Sequence, residues 1–206
     1  FTPLPKLEAN RADGGPCRIL AVGRITRDKG FDYLLRAYAG IPHKALLTIV
    51  GDGPELPALK RLAKALGISS RVAFPGWLTR EKLDTAYRQC FLAAVPSIWP
   101  EPFGIVGIEA MAYQKPLVAF DVGGISQWLQ DGETGLLATP RDAQDLREKM
   151  DLLLEKPSLA AEMGSRGRAM AVDQFTCRHH CRSLLQLFRE AVSHHDIQSI
   201  HKLVPL

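Results

Sequence analysis

Long apolar runs are missing from this chain. No stretch approaches the 18 consecutive apolar residues that a membrane-spanning helix needs. Cysteine is scarce: there are four in 206 residues, and their spacing is not that of a disulfide framework. Cys17 and Cys90 lie in apolar runs and read as buried small hydrophobes. No signal-peptide pattern is visible in the sequence as it stands, which opens on "FTPLP". A reducing, cytoplasmic setting is therefore the expectation. There is no Lys/Arg block and no basic–aromatic stripe. The net charge of +4 comes from interspersed charges of both signs, so nucleic acid is not the leading partner. Internal repeats and low-complexity tracts are also absent.

What is present is ordinary globular composition, 46% hydrophobic and 23% charged. At this length one good-sized domain or two small ones can form. Residues 1–16 carry three of the prolines and no apolar periodicity, and read as a linker. An alternation follows. Short apolar strands are expected at 17–23, 45–51, 71–76, 91–97, 116–122 and 135–139. Helices are expected at 29–41, 54–67, 80–89 and 104–114, with a helical turn at "ISQWLQD". Three helices close the chain, at 142–155, 158–172 and 177–195. Continuous apolar strands alternating with helices imply a doubly wound, Rossmann-like α/β fold: a parallel sheet covered on both faces. Ligands of such folds bind outside the carboxyl ends of the strands, where the strand order switches.

The loops at those ends carry the chemistry. After the first strand, "GRITRDKGF" lacks G-x-G-x-x-G, which disfavours a dinucleotide-binding oxidoreductase. Arg24, Arg27 and Lys29 crowd this turn instead. A cation at a helix N-terminus opposes the macrodipole, and a bound phosphate would resolve the conflict. The plain alternative is that Asp28 caps the helix and the cations are solvated. "GDGPE" after the second strand reads as a tight turn, with Asp52 a candidate cap. Trp77 and Leu78, after the third strand, suit either a nucleobase or ordinary core, and by themselves favour core.

After the fourth strand comes "EPFGIVGIEA". Pro100 and Pro102 hold Glu101 extended, outside the helix that starts near Gly104. That helix has unpartnered first amides, and Gly104 and Gly107 leave room to approach them. Glu109, in the second turn, points back toward the same space. The arrangement suits a diphosphate flanked by hydroxyl-bearing groups, one for each carboxylate. Gly123 and Gly124, after the fifth strand, offer either a second set of amide donors or a flexible turn.

Together "VGRITRDKGFDYLLRAY", "IVGDGPELPALKRLAKALGISSRVAFPG", "PSIWPEPFGIVGIEAMAYQKPLVAFDVGG" and "DGETGLL" resemble the retaining, nucleotide-sugar-dependent glycosyltransferases of family 4, which have the GT-B fold. The resemblance covers about residues 17–195, in the right order, and only the C-terminal, donor-binding half of such enzymes. It implies a Rossmann-like nucleotide-sugar-binding domain at 17–173, with 174–206 as a helix and tail returning toward an N-terminal domain. It implies that Arg24 and Lys29 bind the donor diphosphate and stabilise it as leaving group. Glu101 and Glu109 become the two glutamates of E-x7-E, Glu101 beside the donor sugar and Glu109 on the ribose hydroxyls. Amides around Phe103, Gly104, Ile105 and Val106 would contact sugar and phosphate. Trp77 and Leu78 would contact the base, and Gly23 joins the donor-binding set. Relatives often have a glutamate where this chain has Gln127, which puts the role of "GGISQ" in question.

No D-x-D and no carboxylate cluster is present, so neither a metal nor a cofactor is expected. The two cations would neutralise the departing diphosphate. Bacterial relatives use UDP- or GDP-sugars, and UDP is preferred here. The acceptor (a sugar, lipid or glycan) would bind across a cleft to the N-terminal half, so this chain alone should bind donor and transfer little. The full-length enzyme is expected in the cytoplasm, with peripheral attachment to the inner membrane face as an alternative. The rival readings are a non-catalytic nucleotide-sugar-binding module and, for "CRHHC" at 177–181, a metal site. The latter has no second ligand cluster, and solvated helix faces are the simpler account of these residues.

Overall fold

The computed structural model describes residues 16–42 and 44–194. The expected linker, except for its last residue, and the tail beyond 194 lie outside the described residues. The strands are β1 (Cys17–Val22), β2 (Ala45–Val50), β3 (Val72–Gly76), β4 (Leu92–Val95), β5 (Leu117–Phe120) and β6 (Gly135–Ala138). The helices are α1 (Phe31–Ala39), α2 (Leu56–Ala65), α3 (Arg80–Gln89), α4 (Ile105–Ala112), α5 (Ala143–Glu155), α6 (Pro157–Gln174) and α7 (Cys177–His194). All strand pairs are parallel, in the order β3-β2-β1-β4-β5-β6. This is the doubly wound sheet that the alternating pattern predicts.

β4 and β5 are buried on both faces, the edge strand β3 exposes Ala73 and Pro75, and the buried strand residues divide by parity. Ile19, Ala21, Leu92, Ala94, Val118 and Phe120 belong to one core, with α1, α2 and α5. Leu20, Ala93, Val95, Leu117 and Ala119 belong to the other, with residues of α3, α4 and α6. Helix α1 shows how spacing becomes packing: Phe31, Leu34, Leu35 and Tyr38 stand at i, i+3, i+4 and i+7, and all are buried. Tyr38 keeps its hydroxyl satisfied by donating to the Ala45 carbonyl at 2.6 Å. Asp142 caps α5, accepting from the amides of Gln144 at 2.9 Å and Asp145 at 3.1 Å.

The strand order reverses between β1 and β4. Those two strands pair at only two positions, Ile19 with Leu92 and Leu20 with Ala93. Beyond that point the loops after β1 and β4 diverge, which is where a crevice is expected. Helix α7 differs from the rest. Its described side chains are exposed, including Leu184, Leu185, Leu187, Phe188 and Val192. His179, His180, Cys177 and Cys181 are exposed with them. Among the described residues no cluster of metal-ligating side chains forms, and no helix is long and apolar enough to cross a membrane.

Candidate functional site

The loop after β1 is built around a buried anchor. Ile25 is fully buried; its amide donates to the Asp52 carbonyl at 2.7 Å, and its own carbonyl accepts from the Glu55 amide at 3.1 Å. "GDGPE" is thus a structural brace for this loop. Asp52 does not cap α2: its side chain accepts from the Gly53 amide at 2.7 Å, and the cap position belongs to Glu55. Nor does Asp28 cap α1. It lies in a 3-10 turn, Arg27–Lys29, which ends at Gly30. Gly30 has φ 63°, and a Cβ there would collide with the Pro96 carbonyl. Only glycine fits both demands. The Asp28 carboxyl is held below the usual carboxylate range, chiefly by the Thr26 hydroxyl and further by Lys29 and Arg24.

The loop after β4 locks onto the same turn. The Ile98 amide donates to the Asp28 carbonyl at 2.9 Å. Ser97 is buried, its hydroxyl 3.3 Å from that carbonyl and 3.1 Å from Oε2 of Glu101. Lys29 reaches across to the same oxygen, Nζ to Oε2 at 2.5 Å. The two side chains are 23% and 18% exposed, half-shielded from water at the cavity wall. A cation and a carboxylate separated by 72 residues therefore meet at the switch point.

Glu101 is fastened from behind. Its carbonyl accepts from the Gly124 amide at 2.7 Å. The indole N–H of Trp128, which is fully buried, donates to the Phe103 carbonyl. The stretch after Gly123 is a 3-10 turn of three residues, Ile125–Gln127, and the Gly124 amide is committed to Glu101. The possibility of a second anion-binding helix start there is corrected: this loop braces the Glu101 loop. Gln127 itself is exposed.

Helix α4 begins after Gly104, whose φ is 74°, with no side-chain cap. Its first amides lack intrahelical acceptors and stay open to a ligand. They face a cavity of about 390 Å³. Gly23, Arg24 and Lys29 line one wall, and Glu101, Phe103, Gly104, Ile105 and Val106 line the other. Phe31, which the loop reading passed over, also lines it.

Three expected residues lie off this cavity. Glu109 is one turn further along α4 from Val106. Its Oε1 accepts from Nη1 of Arg80 at 3.1 Å, and its Oε2 from the Tyr87 hydroxyl at 3.3 Å. Burial and the Glu109 charge raise the Tyr87 pKa, so the phenol remains a donor. Burial alone would lower the Arg80 pKa, but the bond to Glu109 and the charges of Asp84 and Glu109 outweigh it, and the net shift is upward. Leu78 is half-buried and packs on the second core. Trp77 is not core: the residue is 77% exposed, just after β3. Ser97, Arg80 and Tyr87 escaped the loop-by-loop reading. The spacing of Arg80, Asp84 and Tyr87 put them on one helix face and was the available signal.

This geometry has relatives. The model of the family described as glycosyl transferases group 1 matches residues 6–170. The D-inositol 3-phosphate glycosyltransferase of Mycolicibacterium smegmatis is 37% identical over 202 residues, covering 94% of this chain and 45% of that protein. The Anabaena HepE structure in complex with UDP-glucose superposes with a TM-score of 0.77 at 29% identity, over 86% of this chain and 49% of the other. The C-terminal domain of LpcC, a group 1 family glycosyl transferase from Francisella tularensis, shares the fold at 23% identity and TM-score 0.71, over 78% of this chain and 87% of that one. The chain spans a little under half the length of the curated relatives it matches. With the α/β unit of a C-terminal GT-B domain and a family match over most of its length, it belongs to the group 1 glycosyl transferases, family 4.

Proposed function

We propose that this chain is the donor-binding half of a retaining, metal-independent hexosyltransferase that uses a UDP-sugar. The observation that carries the reading is the convergence on one cavity of Lys29, Arg24, Glu101 and the uncapped start of α4. The diphosphate lies against the α4 amides, with Arg24 and Lys29 supplying positive charge. As the bond from the anomeric carbon to the diphosphate breaks, charge grows on the departing oxygen. Lys29, already aimed into the cavity, neutralises it without needing to be recruited from solvent. Glu101, held by Ser97 and Lys29, faces the donor sugar, and Glu109 takes the ribose hydroxyls. Trp77 and Leu78 lie on the base side. The bound UDP-glucose of HepE supports uridine over guanosine as the base.

The acceptor binds on an N-terminal half, and the apolar face of α7 turns toward that half. The isolated chain therefore binds donor and transfers little. Calorimetric titration of the chain with UDP, GDP and ADP, beside Glu109→Ala, tests this. Saturable UDP binding, weakened in the variant, is expected. A folded chain that binds none of the three overturns the reading for this half alone.

A further inference from the structure

Arg80 belongs to no wall of the cavity, yet it is the centre of a closed ring of contacts around Glu109. Its Nη1 donates to Oε1 of Glu109 at 3.1 Å, and its Nε lies 3.0 Å from Oδ1 of Asp84, one helical turn on. Asp84 accepts from the Tyr113 hydroxyl. The Tyr113 ring stacks on that of Tyr87, centroids 5.0 Å apart and planes 12° from parallel. Tyr87 closes the circuit on Oε2 of Glu109 at 3.3 Å, its hydroxyl also 3.3 Å from the Val106 carbonyl. The ring thus returns to the helix turn that lines the donor cavity.

The circuit decides what Glu109 can still accept. A carboxylate has about four acceptor positions, two on each oxygen. Arg80 takes one on Oε1 and Tyr87 one on Oε2, leaving one open on each. Two adjacent oxygens with one open position each match two vicinal hydroxyls. Without Arg80 the carboxylate would keep a single tether, and rotation about its last bond would blur the match. No other cation is available from its own helix, since α4 has none in its last turn and Lys115 beyond it donates to the Arg88 carbonyl at 2.8 Å.

We infer that Arg80 is a positioning residue that fixes the Glu109 carboxylate as a two-point acceptor for a vicinal diol, making the donor site selective for ribonucleotides over deoxyribonucleotides. This rests on the proposed role of Glu109 as the ribose acceptor. Arg80 has a side chain 59% exposed, so its removal leaves the fold intact.

The test is the affinity ratio of UDP to 2′-deoxyuridine diphosphate, measured by calorimetry on the full chain. Wild type is expected to prefer UDP about tenfold, the worth of one hydrogen bond to a charged acceptor. Arg80→Ala should bring the ratio to about two or below, UDP losing more affinity than the deoxynucleotide, which has only its 3′-hydroxyl to offer Glu109. Arg80→Lys, which keeps the charge without the fork, should fall between. A thermal melt confirms that each variant is folded. If Arg80→Ala weakens both nucleotides equally, or keeps the wild-type ratio, the inference fails while the ribose reading stands. A wild-type ratio of one overturns the ribose reading and this inference with it. Absence of UDP binding by wild type overturns the nucleotide reading itself.

Discussion

Gly107→Ala sets two effects of known size against each other. Gly107 is interior to α4, where alanine is favoured over glycine by about 0.8–1.0 kcal/mol. Against this stands Trp128. A Cβ on Gly107 would lie 2.7 and 2.8 Å from two atoms of the indole ring and closer still to a third. The ring is fully buried, so it has nowhere open to move. Its N–H is committed to the Phe103 carbonyl, so rotation would also forfeit a hydrogen bond worth about 1 kcal/mol. Overpacking of this kind costs about 1–3 kcal/mol. The propensity gain offsets roughly the hydrogen-bond loss, leaving a net destabilisation of about 1–3 kcal/mol. Urea denaturation followed by far-UV circular dichroism reads this as a lower midpoint at unchanged slope. Trp128→Phe in the Gly107→Ala background should recover part of the loss, because the smaller ring clears the methyl group. A Gly107→Ala chain as stable as wild type would refute the reasoning, since it would mean that helix and indole separate freely.

Three further outcomes are expected. Lys29→Ala leaves Glu101 at the cavity wall with only Ser97, and should lower the urea-derived stability by roughly 1–2 kcal/mol, between the exposed and buried limits for an ion pair; an unchanged midpoint would count against a structural role for this pair. Glu101→Gln removes the anion that occupies Lys29, so UDP should bind several-fold more tightly by calorimetry, and weaker binding would mean that Glu101 itself contacts the nucleotide. Burial pushes the Cys90 thiol up to about 12, so native chain treated with iodoacetamide should be alkylated at exposed Cys177 and Cys181 while Cys90 stays unmodified by mass spectrometry. From a thiol's ordinary value near 8.5 up to about 12 the unfolded chain loses this proton and the folded chain keeps it; the native state then binds more protons, and Cys90 lowers stability by about 1 kcal/mol per pH unit as pH rises. Cys90→Ala should show a flatter stability profile above pH 9, and parallel profiles for the two chains would contradict that assignment.

Period and punctuation carried the architecture because both are local. β4 is shorter than the apolar run suggests, Leu92–Val95 within an expected 91–97, because Pro96 has no amide hydrogen for the ladder and Ser97 and Ile98 bond to the Asp28 carbonyl instead. α6 starts one residue earlier than expected, since Pro157 is a good first helical residue, and runs on to Gln174. "ISQWLQD" forms only one 3-10 turn because Trp128 turns inward to the Phe103 carbonyl. The amide-lined start of α4 was legible from Pro100, Pro102 and Gly104, whose backbone preferences are intrinsic. The pairs that complete the site were not. Lys29 with Glu101 and Arg80 with Glu109 are set by how β1, β4, α3 and α4 stack, and no spacing along the chain encodes them. Trp77 misled the core reading for the complementary reason: apolar character does not say which end of a strand faces water.

The bracing of the loop after β4 bears on timing. Glu101 is fastened by Gly124 and Phe103 by Trp128, so the ligand-facing wall is ordered when the chain folds. A donor arriving there has no backbone to organise, and its entry costs little conformational entropy. Such a wall acts as a fixed template. On the proposed function, a wall that is already set leaves any closure around the donor to movement outside this loop.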